Sequence, residues 1–137
     1  MEEFPTFVTH LECSETGEQY LADQLHGLSD AGKPLLVRYD LDRLGKAVRK
    51  QDLKARLPEL WRYREFLPVR HSQNVVRLGE LMTPLLPATK IQREYQCGEI
   101  LIKDEGRLPT GSFKARGLTM AVSMAKELGV RVMAMPT

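Results

Sequence analysis

The feature that most restricts the fold is the order of elements within residues 100–135. Ile100-Leu101-Ile102-Lys103 is a short apolar run of strand type. Residues 104–111 have the charge, glycine and proline of a loop, and Ser112 to Leu128 repeats apolar residues at helical spacing. Gly129 stands where a helix C-terminus favours a residue that tolerates positive φ, and Val130 to Met135 reads as a second strand. A strand, a helix and a strand within roughly 35 residues predict a parallel βαβ unit with a right-handed connection. The expected fold class is therefore α/β, with a helix-covered parallel sheet beginning in this half of the chain.

The preceding residues read differently, as an α+β segment over residues 1–78, with the second unit running from residue 79 to residue 137. Up to Gly32 the short apolar patches Phe7-Val8 and Tyr20-Leu21 alternate with turn-forming residues, which predicts short strands and turns. Leu35 to Tyr39 predicts a strand, and Asp40-Leu41-Asp42 supplies a helix cap for a helix over about 42–50. Glu59 to Pro68 gathers Trp61, Tyr63 and Phe66 and stops at a proline, which predicts a short, firmly docked helix. Val75 to Gly79 turns extended, and Pro84 and Pro87 exclude a helix interior between them.

Composition narrows the function classes. An apolar fraction of 42% with 28% charged residues is that of a globular chain, and a net charge of +2 points to neither a nucleic-acid nor a membrane-surface partner. The basic stretch Lys46 to Arg56 also holds Asp52 and reads as a solvated helix face. Cys13 and Cys97 are too far apart and too few to imply a disulfide framework or a metal cluster. The N-terminus lacks the order of a signal peptide, and no run approaches bilayer length, so a cytoplasmic location is expected.

Within the helix over 112–128, Lys114 falls on the same stripe as Leu118, Ala121, Ala125 and Leu128, which predicts a lysine turned toward the sheet. It also lies in the first turn, where the helix dipole disfavours a cation. Desolvation and dipole would both favour the neutral, nucleophilic amine. A first-turn lysine can equally snorkel its charge out of an apolar stripe. The loop Pro109-Thr110-Gly111-Ser112, with two hydroxyls and a glycine at a helix start, suits close approach of an anionic ligand or plain capping.

The stretch Lys103-Asp-Glu-Gly-Arg-Leu-Pro-Thr-Gly-Ser-Phe-Lys-Ala-Arg-Gly117 closely resembles the lysine-bearing segment of fold-type II pyridoxal-phosphate enzymes, above all the threonine synthases. Leu35 to Leu44, Leu60 to Pro68 and Leu78 to Leu85 extend the likeness over most of the chain. The resemblance implies that Lys114 forms the internal aldimine with pyridoxal 5'-phosphate and later moves protons, with Ser112 and Phe113 beside the cofactor. It makes residues 79–137 the start of the cofactor-binding domain. It further implies a lyase taking O-phospho-L-homoserine and water to L-threonine and phosphate. A related dehydratase, a β-replacement enzyme and a non-catalytic interaction module are the alternatives.

Two positions depart from the pattern. Many relatives have Cys-x-x-Cys-Gly near the start, where this chain has Cys13-Ser-Glu-Thr16-Gly17, so no metal is expected there. Ala115 stands where many members have an aspartate, while Arg116 is expected to play a structural role. The resemblance places the other cofactor-binding groups beyond Thr137, which predicts an inactive isolated chain. An open sheet edge at the end of this chain predicts self-association into a homo-oligomer, or instability.

Overall fold

A computed structural model describes residues 3–134. Its N-terminal half is built on a three-stranded antiparallel sheet in the order β2-β1-β3, with β1 over Val8–Cys13, β2 over Gln19–Tyr20 and β3 over Leu35–Tyr39. Leu11 opposes Tyr20 on one side and Val37 on the other, so apolar and aromatic side chains meet across the strands. Cys13 ends β1 fully buried, its thiol donating to Ser29 Oγ at 3.1 Å and its sulfur accepting from the Thr16 N–H at 3.4 Å.

Two short helices follow where one was expected. In α1 (Leu41–Ala47) the Asp40 carboxylate accepts from the Arg43 N–H at 2.9 Å, the cap read from the sequence. Val48 then becomes extended, and the Asp52 side chain accepts from the Arg49 N–H at 2.8 Å, which starts a new helix, α2 (Lys50–Lys54). The aromatic tract docks as expected, but as a 3₁₀ helix over Leu60–Phe66 with non-helical backbone at Tyr63. Its winding yields to its anchors. Trp61 is buried with its indole N–H on the Val76 carbonyl at 3.1 Å, and buried Glu65 accepts from both terminal nitrogens of Arg56 at 2.6 and 2.8 Å. Phe4, Trp61 and Val69 form the central apolar cluster, flanked by Leu60, Leu67, Val75 and Met124.

The second half is a two-stranded sheet and one long helix. β4 (Leu85–Pro87) and β5 (Leu101–Lys103) pair antiparallel, with Leu86 opposite Ile102, and α3 (Thr89–Glu94) lies between them in the chain, a helix the sequence reading left out. The helix α4 runs over Lys114–Glu127 and ends before Gly129, whose φ is +72°. The architecture is thus mixed α and β, as expected. The parallel βαβ unit is not found: both sheets among the described residues are antiparallel. Val130–Ala134 is not strand, while Met135 lies outside the described residues.

The cause is where α4 is anchored. Ser123 Oγ accepts from the Val76 N–H at 2.9 Å, Lys126 Nζ donates to the Gln73 carbonyl at 2.7 Å, and Glu127 binds His71 and Asn74 at 2.5 and 2.6 Å. These bonds fasten the helix to residues 71–76 instead of carrying it back across β5. The chain leaving α4 therefore reaches the first sheet, where Met133 joins Leu11, Leu35, Met120, Met124 and Leu128 around an apolar cleft of about 340 Å³. A strand needs a hydrogen-bonding neighbour, and β5 lies elsewhere. No helix among the described residues is long and apolar enough to cross a membrane.

Candidate active-site segment around Lys114

The loop between β5 and α4 is shaped by local bonds. A single 3₁₀ turn covers Glu105–Arg107, with Arg107 Nε on the Asp104 carboxylate at 2.8 Å. Leu108 is buried and anchors the loop, and its carbonyl accepts from the Gly111 N–H at 2.7 Å. Gly111 has φ +69°, with nothing within 4 Å of the place a Cβ would take, so the glycine is needed for backbone conformation and leaves open space beside the helix start. Thr110 Oγ1 donates to the Ser112 carbonyl at 3.3 Å, and Ser112 Oγ accepts from the Lys114 N–H at 3.4 Å. Ser112 thus meets the first N–H of α4, whose N-cap position is Phe113, 68% exposed and without a side-chain cap.

Lys114 is exposed, which corrects the expectation that its side chain lies against the sheet. The buried face of α4 is Ala115, Thr119 and Ser123 together with Ala125. The first three are small residues four apart, which lets the 69–81 segment pack closely while the Thr119 carbonyl and the Val76 N–H both engage Ser123. The apolar stripe is real but serves another end: Ala121, Ala125 and Leu128 line the cleft against the first sheet. Lys114, at the far end of the helix, lines neither that cleft nor the core. No carboxylate among the described residues comes within salt-bridge distance of it.

Arg116 has the structural role read from the sequence. Its Nε and one terminal nitrogen reach the Glu105 carboxylate at 2.8 and 3.1 Å, and the terminal nitrogen also meets the Leu81 carbonyl at 3.0 Å. Thr83 donates a further hydrogen bond to Glu105, and Lys103 Nζ stands 3.9 Å away. The Arg116 guanidinium first, then the Thr83 hydroxyl, hold the Glu105 carboxyl at about 2, well below its ordinary value of 4.5. A lowered carboxyl pKa stabilises the folded chain fully above the ordinary value, and that stabilisation is lost as pH falls toward the folded value. The stability difference between wild type and Glu105→Gln is accordingly expected to shrink between pH 4.5 and about 2. Paired thermal melts across that range check it, and a difference unchanged with pH would reject the assignment.

Three features of this segment escaped sequence reasoning. Glu105 precedes Arg116 by eleven positions across a loop, a spacing no periodicity marks. Glu80 is buried, with Oε2 accepting from the Leu78 N–H at 2.7 Å and Oε1 meeting no protein donor among the described residues. Ala115 is completely buried, so an aspartate in its place would put a carboxylate inside a packed seam. Around the helix start the chain exposes the Lys114 amine, which has no ion-pair partner among the described residues, together with Thr110 and Phe113, while Ser112 is half-buried.

Residues 76–136 match the pyridoxal-phosphate dependent enzyme family. Along its length the chain is similar to curated threonine synthases. It is 38% identical to that of Methanocaldococcus jannaschii over 88% of this chain and 30% of the relative, and 33% identical to that of Methanosarcina acetivorans over 91% and 30%. Over a shorter stretch, 53% of this chain and 20% of the relative, it is 47% identical to that of Halalkalibacterium halodurans. The chain thus spans about a third of the length of the first two relatives. No solved structure matches it. The helix and loop that present Lys114 lie inside the residues that match the pyridoxal-phosphate dependent enzyme family, and the chain as a whole is similar to an amino-terminal portion of the threonine synthases.

Proposed function

We propose that Lys114 is the residue that binds pyridoxal 5'-phosphate covalently, in a longer protein that converts O-phospho-L-homoserine and water into L-threonine and phosphate. The observation that supports this best is the exposed amine of Lys114, without an ion-pair partner among the described residues, at a helix start inside the matched segment. Pyridoxal phosphate, when bound, supplies an electron sink that acidifies protons along the substrate's carbon chain. Lys114 would hold the cofactor through its aldehyde carbon, and its amine would serve as the base that accepts and returns protons along the substrate's carbon chain. Ser112 fixes the first turn of α4 and Phe113 offers an apolar face to a flat ring.

The chain alone is proposed to be inactive, because Lys114 stands in the open and turnover needs the shielding and electronic tuning that further protein groups provide. The deciding assay is product formation by the longer protein offered O-phospho-L-homoserine, serine or threonine. Threonine and phosphate from the first alone are expected; deamination of serine or threonine in their place would favour a dehydratase. Leu85, Leu86, Leu101 and Ile102 are all exposed on the β4-β5 sheet, which favours self-association of the isolated chain. Sedimentation is expected to give a mass above the monomer at micromolar concentration, and a monomer throughout would dismiss this.

A further inference from the structure

The geometry points to Glu105 and Arg116 as positioning residues for the Lys114 amine, an inference that rests on Lys114 being the cofactor lysine. Arg116 lies two residues beyond Lys114, which on an α-helix separates their side chains by about 200° around the axis. Turning Arg116 inward onto Glu105 and the Leu81 carbonyl, with Ala115 completely buried beside it, obliges Lys114 to face outward. The clasp is two-pronged, at 2.8 and 3.1 Å, so it fixes the rotation of the helix's first turn as well as its distance from the loop base.

The same carboxylate gathers four parts of the fold. Thr83 enters it from the connection before β4, Lys103 from the end of β5, Glu105 itself from the 3₁₀ turn and Arg116 from α4. Lys103 Nζ also donates to the Thr83 carbonyl at 3.3 Å, which closes the ring of contacts. The loop from Leu108 to Phe113 is thereby held at both ends, and small shifts at its base would be passed directly to the amine. Occupying Glu105 has a second effect. With its charge matched by Arg116, this acid does not draw the Lys114 side chain down onto the loop base.

The test uses this chain with pyridoxal phosphate and borohydride, reading the rate of modification of Lys114 against exposed Lys46 by peptide mass mapping. Amide hydrogen exchange is measured in parallel. In Glu105→Gln the Lys114-to-Lys46 ratio is expected to change by about fivefold or more. Exchange over residues 106–116 is expected to speed up by about tenfold while α1 keeps its wild-type rates. A Glu105→Gln chain with wild-type ratio and wild-type exchange would overturn the proposal, as would exchange that rises equally in α1. If wild-type Lys114 reacts no faster than Lys46 while exchange over 106–116 still responds to Glu105→Gln, the cofactor reading of Lys114 is what fails.

Discussion

Replacing Lys114 by alanine is expected to abolish covalent capture of pyridoxal phosphate at α4 and, in the longer protein, to lower threonine formation by about 10³-fold or more, as loss of a covalent nucleophile does. The expectation comes from position and availability. Lys114 follows a loop whose glycine leaves space beside the helix start, its backbone N–H donates to Ser112 Oγ, and Glu105 at the loop base is taken by Arg116. Lys114→Arg is the informative companion. It keeps the positive charge and a long stem, but a guanidinium stays protonated and cannot condense with an aldehyde. Both substitutions sit on an exposed position, so melting should move little, which separates chemical loss from unfolding. Borohydride-stable label mapped to another lysine, at undiminished yield in Lys114→Ala, would refute the assignment.

What the sequence disclosed about this site was its chemistry and its elements, not its orientation. The β3 strand, the Asp40 cap, the β5 strand and the body of α4 were all readable, because each depends on local pattern or a capping residue. The direction of Lys114 was not. Periodicity places Lys114, Leu118, Ala121 and Ala125 on one stripe, but it does not say what that stripe faces at each end of the helix. Near Leu128 the stripe meets the first sheet, whereas at Lys114 nothing covers it among the described residues. The face that packs closest is instead the small, partly polar row Ala115, Thr119 and Ser123, which a hydrophobicity pattern ranks low. Strand pairing failed for a related reason. Whether β5 takes a parallel or an antiparallel neighbour is decided by where α4 docks, and that docking is fixed by His71, Asn74 and Val76, some fifty residues away in sequence.

The same long-range fastening makes Trp61 the residue on which the N-terminal half depends most. Trp61→Ala is expected to cost about 3–5 kcal/mol, the range for deleting a large aromatic side chain from a core that cannot collapse around the gap. Against a total stability of about 5–15 kcal/mol for a domain, that leaves much of the population unfolded under mild denaturant. Two losses combine. The indole is 3% exposed and fills the cluster with Phe4 and Val69, and its N–H satisfies the Val76 carbonyl at 3.1 Å. Trp61→Phe separates them, retaining most of the apolar volume but leaving that carbonyl short of a donor, for an expected cost of about 1–3 kcal/mol. The effect should also travel. Val76 is the residue whose N–H holds Ser123, so loosening it releases the middle of α4 and raises exchange there before the first sheet opens. Urea unfolding of the three proteins, followed by far-ultraviolet dichroism, measures the costs. A Trp61→Ala midpoint within about 1 kcal/mol of wild type would mean that this cluster is not the one that holds the chain together.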